Sequence, residues 1–335
     1  MKTVCIALLS MAGLCAQTTR PPAPQKKTPA STDRPQVVYR WDVQNSGVED
    51  DLTGVSLVNL QVGYAVGKSN TILKTTDGGN TWKRLLERQD RADFQSVMFT
   101  SPTDGWVESS TLLHTSDGGE SWQPAVPLPG PAGFGGGSMA GSSRIQLHVR
   151  GMGVGVFRSD DGGRTWKPLG QPPSNAYETV FFADDLHGWV AGDYGLLAST
   201  TDGGTTWKEQ NPGFKPHITK IQFVSPQVGW LLPHRGHQGG LLATTDGGQT
   251  WTSQYAAIAG YSPLADMQFL NAQTGFLLAE GNNDHLVLVT ANGGKSWRTI
   301  GHIRQYSTAL SFPAADEGWA VGPKGYIVHY HKVAQ

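Results

Sequence analysis

The stretch Thr75 to Trp82, TTDGGNTW, decides the fold because the sequence writes it six times. The other copies are TSDGGESW (115–122), SDDGGRTW (159–166), TTDGGTTW (200–207), TTDGGQTW (244–251) and TANGGKSW (290–297). Their third positions are Asp77, Asp117, Asp161, Asp202, Asp246 and Asn292, spaced by 40, 44, 41, 44 and 46 residues. A period in the forties marks a repeat architecture in which each repeat is one supersecondary unit.

The chemistry of the octet is that of a hairpin corner. The Asp77 carboxylate accepts hydrogen bonds from turn amides, and Gly78 and Gly79 allow the positive φ of a tight turn. Thr81 adds a hydroxyl, and Trp82 supplies a large apolar ring where neighbouring units meet. The same roles fall to Trp122, Trp166, Trp207, Trp251 and Trp297 in the other copies. A catalytic reading fails on two counts. Equivalent carboxylates spread around a ring at five of the six corners cannot share one substrate, and Asn292 at the sixth keeps a capping oxygen but has no acid–base chemistry.

Ahead of five of the corners, with the glycine 12 to 17 residues before the third corner position, stands a glycine and a large apolar residue, GYAVG (63–67), GWVES (105–109), GWVAG (188–192), GWLLP (229–233) and GFLLA (275–279), and the element recurs as GWAVG (318–322) after the last corner. An alternating run such as SVMFTS or KIQFVS precedes each. One unit thus reads as four antiparallel strands, A (TGVSLVN), B (GYAVG), C (TILKTT) and D (NTWKRL), which is a propeller blade. After the sixth corner, ALSFPAADEGWAVGPKGYIVHYHK supplies A, B and C but no D. The segment VVYRWDVQ (37–44), with Trp41 where other D strands carry their Trp, completes that sheet and removes the exposed edges. The expected fold is therefore an all-β, seven-bladed propeller over residues 37–335, closed by its N-terminal strand. The eleven tryptophans are all placed: six in corners, four after the strand-B glycine, and Trp41. Blade three lacks the glycine–aromatic element and carries a glycine cluster at 133–137, which predicts a loosely packed blade.

Residues 1–16, MKTVCIALLSMAGLCA, have the basic start, apolar run and small end of a secretory signal peptide. The apolar run is too short to span a bilayer. Cleavage after Ala16 is favoured over lipidation at Cys15, because Leu14 is not the small residue a lipobox wants. Both cysteines, Cys5 and Cys15, lie in this leader, so the domain is expected to rely on its core. Residues 17–36, rich in Pro, Thr and Lys, read as a disordered linker. Lys plus Arg number 26 against 27 acids, which excludes a nucleic-acid footprint.

The B–C and D–A loops lie opposite the corners and hold the unrepeated residues. This loop face carries Arg88, Arg91, Tyr177, Glu178, Phe214, Lys215, His217, His234, Arg235, His237, Tyr261, Arg304 and Tyr306, with Asp284 and His285 beside them. Arginines and aromatics of this kind suit the anchors of a protein partner. A sialidase-like alternative would converge Arg88 or Arg91, Arg235 and Arg304 on a carboxylate beside Tyr306 and Glu178. Against it, these residues come from blades spread around the ring, and no Arg-Ile-Pro segment precedes the first corner. A xyloglucanase-like alternative would need two carboxylates within roughly 5 to 9.5 Å. His217, His234 and His237 form only a weak metal pattern, since a metal site needs fixed geometry and supporting residues. No cofactor, metal or catalytic residue is expected, and GGG at 135–137 lacks the lysine and helix of a phosphate loop.

The combination of G-[WYF]-x-x-G, an apolar C strand and T-x-D-G-G-x-T-W resembles the photosystem II assembly and stability factor family of Asp-box, or bacterial neuraminidase repeat, propellers. The resemblance covers about residues 37 to 335. It implies a secreted or lumenal, non-enzymatic protein that binds a newly made subunit of a membrane complex. The expected location is periplasmic or extracellular, or the thylakoid lumen in a photosynthetic host. No transmembrane segment is expected in the mature chain.

Overall fold

The computed structural model describes residues 38–333 apart from 86–91, 110–111, 127–133, 141–142, 151–152, 214, 216, 235–239, 255–262, 282–283 and 304–305. The strands form antiparallel four-stranded sheets, and neighbouring strands in each sheet are neighbours in sequence with one exception. Blade 1 runs A to D as Leu52–Leu57, Gly63–Gly67, Ile72–Thr75 and Lys83–Arg84. The A strands of blades 2 to 6 are Ser96–Phe99, Phe134–Ala140, Tyr177–Phe182, Ile218–Phe223 and Leu264–Phe269.

The expected series of seven blades needs one correction. The repeat itself runs to six blades, each made of four consecutive strands. The remaining four-stranded sheet is not a repeat copy but a composite of Ala309–Ala314, Glu317–Val321 and Ile327–Val333 with Val38–Gln44 on its outer edge. The reason is physical. The last three strands have no corner and no D strand of their own, so their open edge pairs with the N-terminal strand in the register Val38↔Val333 to Gln44↔Ile327. Blade 3 has longer strands than its neighbours. Its first three strands have 7, 8 and 7 residues and pair continuously from Arg144↔Ser159 to Arg150↔Gly153, so its hydrogen-bond ladder is longer than that of blade 1.

The glycine–aromatic element is explained by two contacts made in opposite directions. The glycine leaves room for the phenylalanine that ends strand A of its own blade. A Cβ on Gly188 would lie 2.5 Å from the Phe182 ring, and one on Gly229 would lie 2.4 Å from Phe223. The aromatic that follows reaches the next blade and stacks on the same phenylalanine position there. Tyr64 stacks on Phe99, Trp189 on Phe223, Trp230 on Phe269 and Phe276 on Phe312, with centroids 3.4 to 3.6 Å apart. The corner tryptophan closes the triad edge-on: Trp122 against Phe99, Trp251 against Phe223 and Trp297 against Phe269. In the composite sheet Trp41 stands edge-on to Phe312 at 6.3 Å. Each pair adds about 0.5–1.5 kcal/mol beyond the area it buries.

The corners follow one hydrogen-bond plan. Thr81 donates its amide to Asp77 Oδ1 (2.9 Å) and its hydroxyl to Oδ2 (2.6 Å). Thr75 donates its hydroxyl to Asp77 Oδ1 (2.8 Å) and accepts the Gly79 amide (2.7 Å). Gly78 and Gly79 have φ of 69° and 84°, and the Gly78 amide donates to Gln61 in the A–B turn, so corners and A–B turns share a face. At the sixth corner Asn292 Oδ1 accepts the Ser296 amide, while its Nδ2 donates to Ser296 Oγ, reversing one bond of the plan. Hydrogen bonds to the ionised form hold the Asp117, Asp202 and Asp246 carboxyls down to about 2.

Between A strands the ring is stitched at one recurring side-chain position in blades 1, 3, 5 and 6 and in the composite sheet. Ser56 accepts the Phe99 amide, Ser138 the Phe182 amide and Ser311 the Leu57 amide. Gln222 and Gln268 clamp both backbone groups of Phe269 and Phe312. At the seam Gln44 Oε1 accepts the indole N–H groups of both Trp82 and Trp319 at 3.1 Å, and Trp41 donates to the Ile300 carbonyl at 3.0 Å.

Two outcomes follow. Trp41→Ala loses the seam packing and should lower stability by about 3 kcal/mol, read as a urea midpoint shift at constant m. An unchanged midpoint would place the N-terminal strand outside the stable ring. Because the corner carboxyls titrate lower in the folded chain than their ordinary 3.8, they stabilise fully above that value and lose this contribution as pH falls through about 2. The triple variant D117N/D202N/D246N should therefore show a shallower fall in urea midpoint between pH 4 and 2 than the parent, and an equal fall would refute the assignment.

Candidate functional site

The A strands of all blades and of the composite sheet surround an axial cavity of about 440 Å³, lined by residues such as Ser56, Thr179, Lys220, Gln222, Gln268 and Ser311. Within it Lys220 pairs with Asp266 of the next blade, and buried Asp266 also accepts the amides of Met267 (2.8 Å) and Leu310 (2.9 Å). A cation held in this way is satisfied by its neighbour and is not free for a ligand.

Of the loop-face residues expected from sequence, Arg88, Arg91, Phe214, Arg235, His237, Tyr261 and Arg304 lie outside the described residues. Glu178, Lys215, His234 and Tyr306 are exposed and His217 is half-buried. Tyr177 is a correction. It opens the A strand of blade 4, and the strand's alternation turns it inward, where it is 1% exposed and packs with Val156, Val180 and Phe182. Its hydroxyl has no hydrogen-bond partner among the described residues, and burial pushes its pKa up to about 12. It is a core residue and cannot anchor a partner.

The structure brings Glu178 and His217 together and adds a residue that sequence reasoning missed. His217 Nε2 is 2.7 Å from Glu178 Oε2, and its Nδ1 is 3.1 Å from Asp193 Oδ1. Asp193 begins the turn directly after GWVAG, between strands B and C, where Tyr194 has a φ of 55° and is 76% exposed. The signal was present, since every B–C turn faces the loop side, but DYG carries no recurring motif to draw attention to it. The His234 ring stacks on that of His217 with 4.9 Å between centroids, and the His234 amide donates to the His217 carbonyl at 2.6 Å. Further round the face, Tyr306 meets buried His285 edge-on at 5.5 Å, and His285 Nδ1 accepts the Ser307 amide, which puts its proton on Nε2. The loop face therefore presents exposed Tyr194 next to Asp193 of the acidic and imidazole cluster and exposed Tyr306 beside His285.

Six corner-bearing blades around a lined axis define the class: the chain is an Asp-box propeller. Its sequence is similar to the family described as photosynthesis system II assembly factor YCF48, whose family model matches residues 34–131, and the BNR/Asp-box repeat matches 157–168. Among curated relatives, the photosystem II assembly lipoprotein Ycf48 of Nostoc sp. is 28% identical over 63% of this chain, and that of Trichormus variabilis 26% over 92%. The matched stretch spans 61% of the Nostoc relative and 90% of the Trichormus one. That of Picosynechococcus sp. is 30% identical, over 53% of its length.

The structure superposes on YCF48 bound to a D1 peptide with a TM-score of 0.68 at 20% identity, covering 87% of this chain and 96% of that one. It superposes on the GH74 xyloglucanase from Xanthomonas campestris with a TM-score of 0.67 at 14% identity, over 53% of the enzyme. At these identities both likenesses concern the fold alone, so it is the sequence relatives that separate the two readings. They favour the assembly factors over the hydrolase.

Tyr177→Phe removes a buried hydroxyl that no described residue satisfies. It should raise stability by about 1 kcal/mol, seen as a higher melting temperature with loop-face binding unchanged. A loss of binding would return Tyr177 to the site.

Proposed function

We propose that the protein is an exported, non-enzymatic propeller that binds a subunit of a membrane or envelope complex during assembly. The observation that carries the proposal is the similarity to curated photosystem II assembly factors, which in the Trichormus variabilis relative runs over 92% of this chain. The resemblance to a propeller bound to a D1 peptide supports a polypeptide ligand. Among the described residues no helix is long and apolar enough to cross a membrane.

The contact surface in this proposal is the loop face, with Tyr194 and Tyr306 as exposed anchors and Glu178, Lys215, His217 and His234 around them. Aromatic side chains that are exposed in the free protein and fixed on short turns are the usual source of binding energy in such contacts. The corners are excluded from this role because their polar groups are already paired within each turn.

Export places the chain in the periplasm, outside the cell, or in the thylakoid lumen of a photosynthetic host. The curated relatives named lipoproteins support lipidation at Cys15 over cleavage after Ala16. Metabolic labelling with a palmitate analogue tests this. Label that disappears in Cys15→Ser supports the lipoprotein, and an unlabelled parent chain beginning at Gln17 refutes it.

Capture of the tagged protein from envelope extracts, with the partner identified by mass spectrometry, tests the function. The parent should recover a membrane-complex subunit, and the variant Y194A/Y306A should recover it at least tenfold less. Equal recovery by both would remove the loop face from the proposal.

A further inference from the structure

We propose that Glu178 and His217, with Asp193 holding the other ring nitrogen of that histidine, form a binding site for a divalent transition-metal ion of the zinc type, which clamps blade 4 to blade 5 at the loop face. One ligand atom from each residue lies within 4.8 Å of the others. Glu178 is the second residue of strand A of blade 4 and Asp193 follows its strand B, whereas His217 precedes strand A of blade 5. The site is therefore assembled across a blade boundary from two positions held by regular strands.

The arrangement asks for a cation. Two carboxylates converge on one imidazole, at 2.7 and 3.1 Å from its two nitrogens. Even a protonated His217 supplies one positive charge against two negative ones. A divalent ion balances both carboxylates and leaves the imidazole neutral, its ligating form. Bond lengths of about 2.0–2.2 Å in a tetrahedral site set donor atoms roughly 3.3 Å apart, so Glu178 Oε2 and His217 Nε2, which are 2.7 Å apart, need to part only slightly. The ring nitrogen that does not ligate donates to the second carboxylate, the arrangement that commonly orients a metal-bound histidine. Water would complete the coordination.

The donor set also selects the ion. Imidazole with carboxylates suits zinc and its first-row neighbours, whereas calcium and magnesium prefer oxygen alone. A chain holding zinc here resists separation of blades 4 and 5, because the ion binds the folded ring and not the unfolded chain.

Calorimetric titration of chelator-treated, tag-free protein with zinc chloride tests the site, with magnesium and calcium chlorides as controls. The parent should bind one zinc ion per chain and melt roughly 4 °C higher at a hundredfold excess over Kd. His217→Ala should abolish both effects, and D193N, at a half-exposed position that leaves the fold intact, should weaken binding at least tenfold. H329A/H331A, which removes another histidine pair, should bind zinc as the parent does. Zinc binding that survives unchanged in D193N or His217→Ala, no zinc binding by the parent, or equal responses to magnesium and calcium would each overturn the proposal. Zinc binding is independent of the partner reading, since a failed titration leaves the capture experiment unaffected, and the reverse holds too.

Discussion

The contact on which the rest depends is the phenylalanine near the end of most A strands (Phe99, Phe182, Phe223, Phe269 and Phe312), pressed between two blades. On one side a glycine of its own blade makes way for it, and on the other the aromatic of the preceding blade lies flat against it. Blade packing is therefore set by side chains of fixed size at fixed positions. A ring built from such contacts closes only if each interface is filled. Blade 1 carries Leu57 in place of the phenylalanine, and there Trp319 of the composite sheet packs into a cluster with Leu52, Val55 and Trp82.

Closure matters as much as packing. A propeller with an unpaired outer edge would offer its backbone to any other strand. Here Val38–Gln44 fills that edge, and Gln44 ties it to tryptophans on both sides of the seam. The consequence for function is rigidity. Short turns on a closed ring hold Asp193, Tyr194 and Glu178 in place without a ligand, so binding at the loop face loses little to ordering.

The repeating part of this structure was legible in the sequence because it is written many times. The corner octet recurs at a near-constant offset and the glycine–aromatic element does so in every unit but blade 3, and their strand assignments follow from alternation alone. What could not be read was of two kinds. The A-strand stitches use Ser56, Ser138 and Ser311 in some blades but Gln222 and Gln268 in others, so no single residue type marks the position. The loop face fails to repeat at all. Glu178 and His217 could be named as exposed polar residues, but their meeting with Asp193 depends on how two blades align in space. Tyr177 was misread for a related reason, because one step along a strand reverses the face that a side chain takes.

Amide hydrogen exchange across Ile327–Val333 tests ring closure most directly, comparing the intact chain with one that begins at Gly47. In the intact chain this segment should be as protected as the interior C strands, and in the shortened chain its protection should fall by orders of magnitude and recover when a peptide of residues 37–44 is added. Equal protection in the two chains would show that the N-terminal strand does not close the ring and would contradict the account.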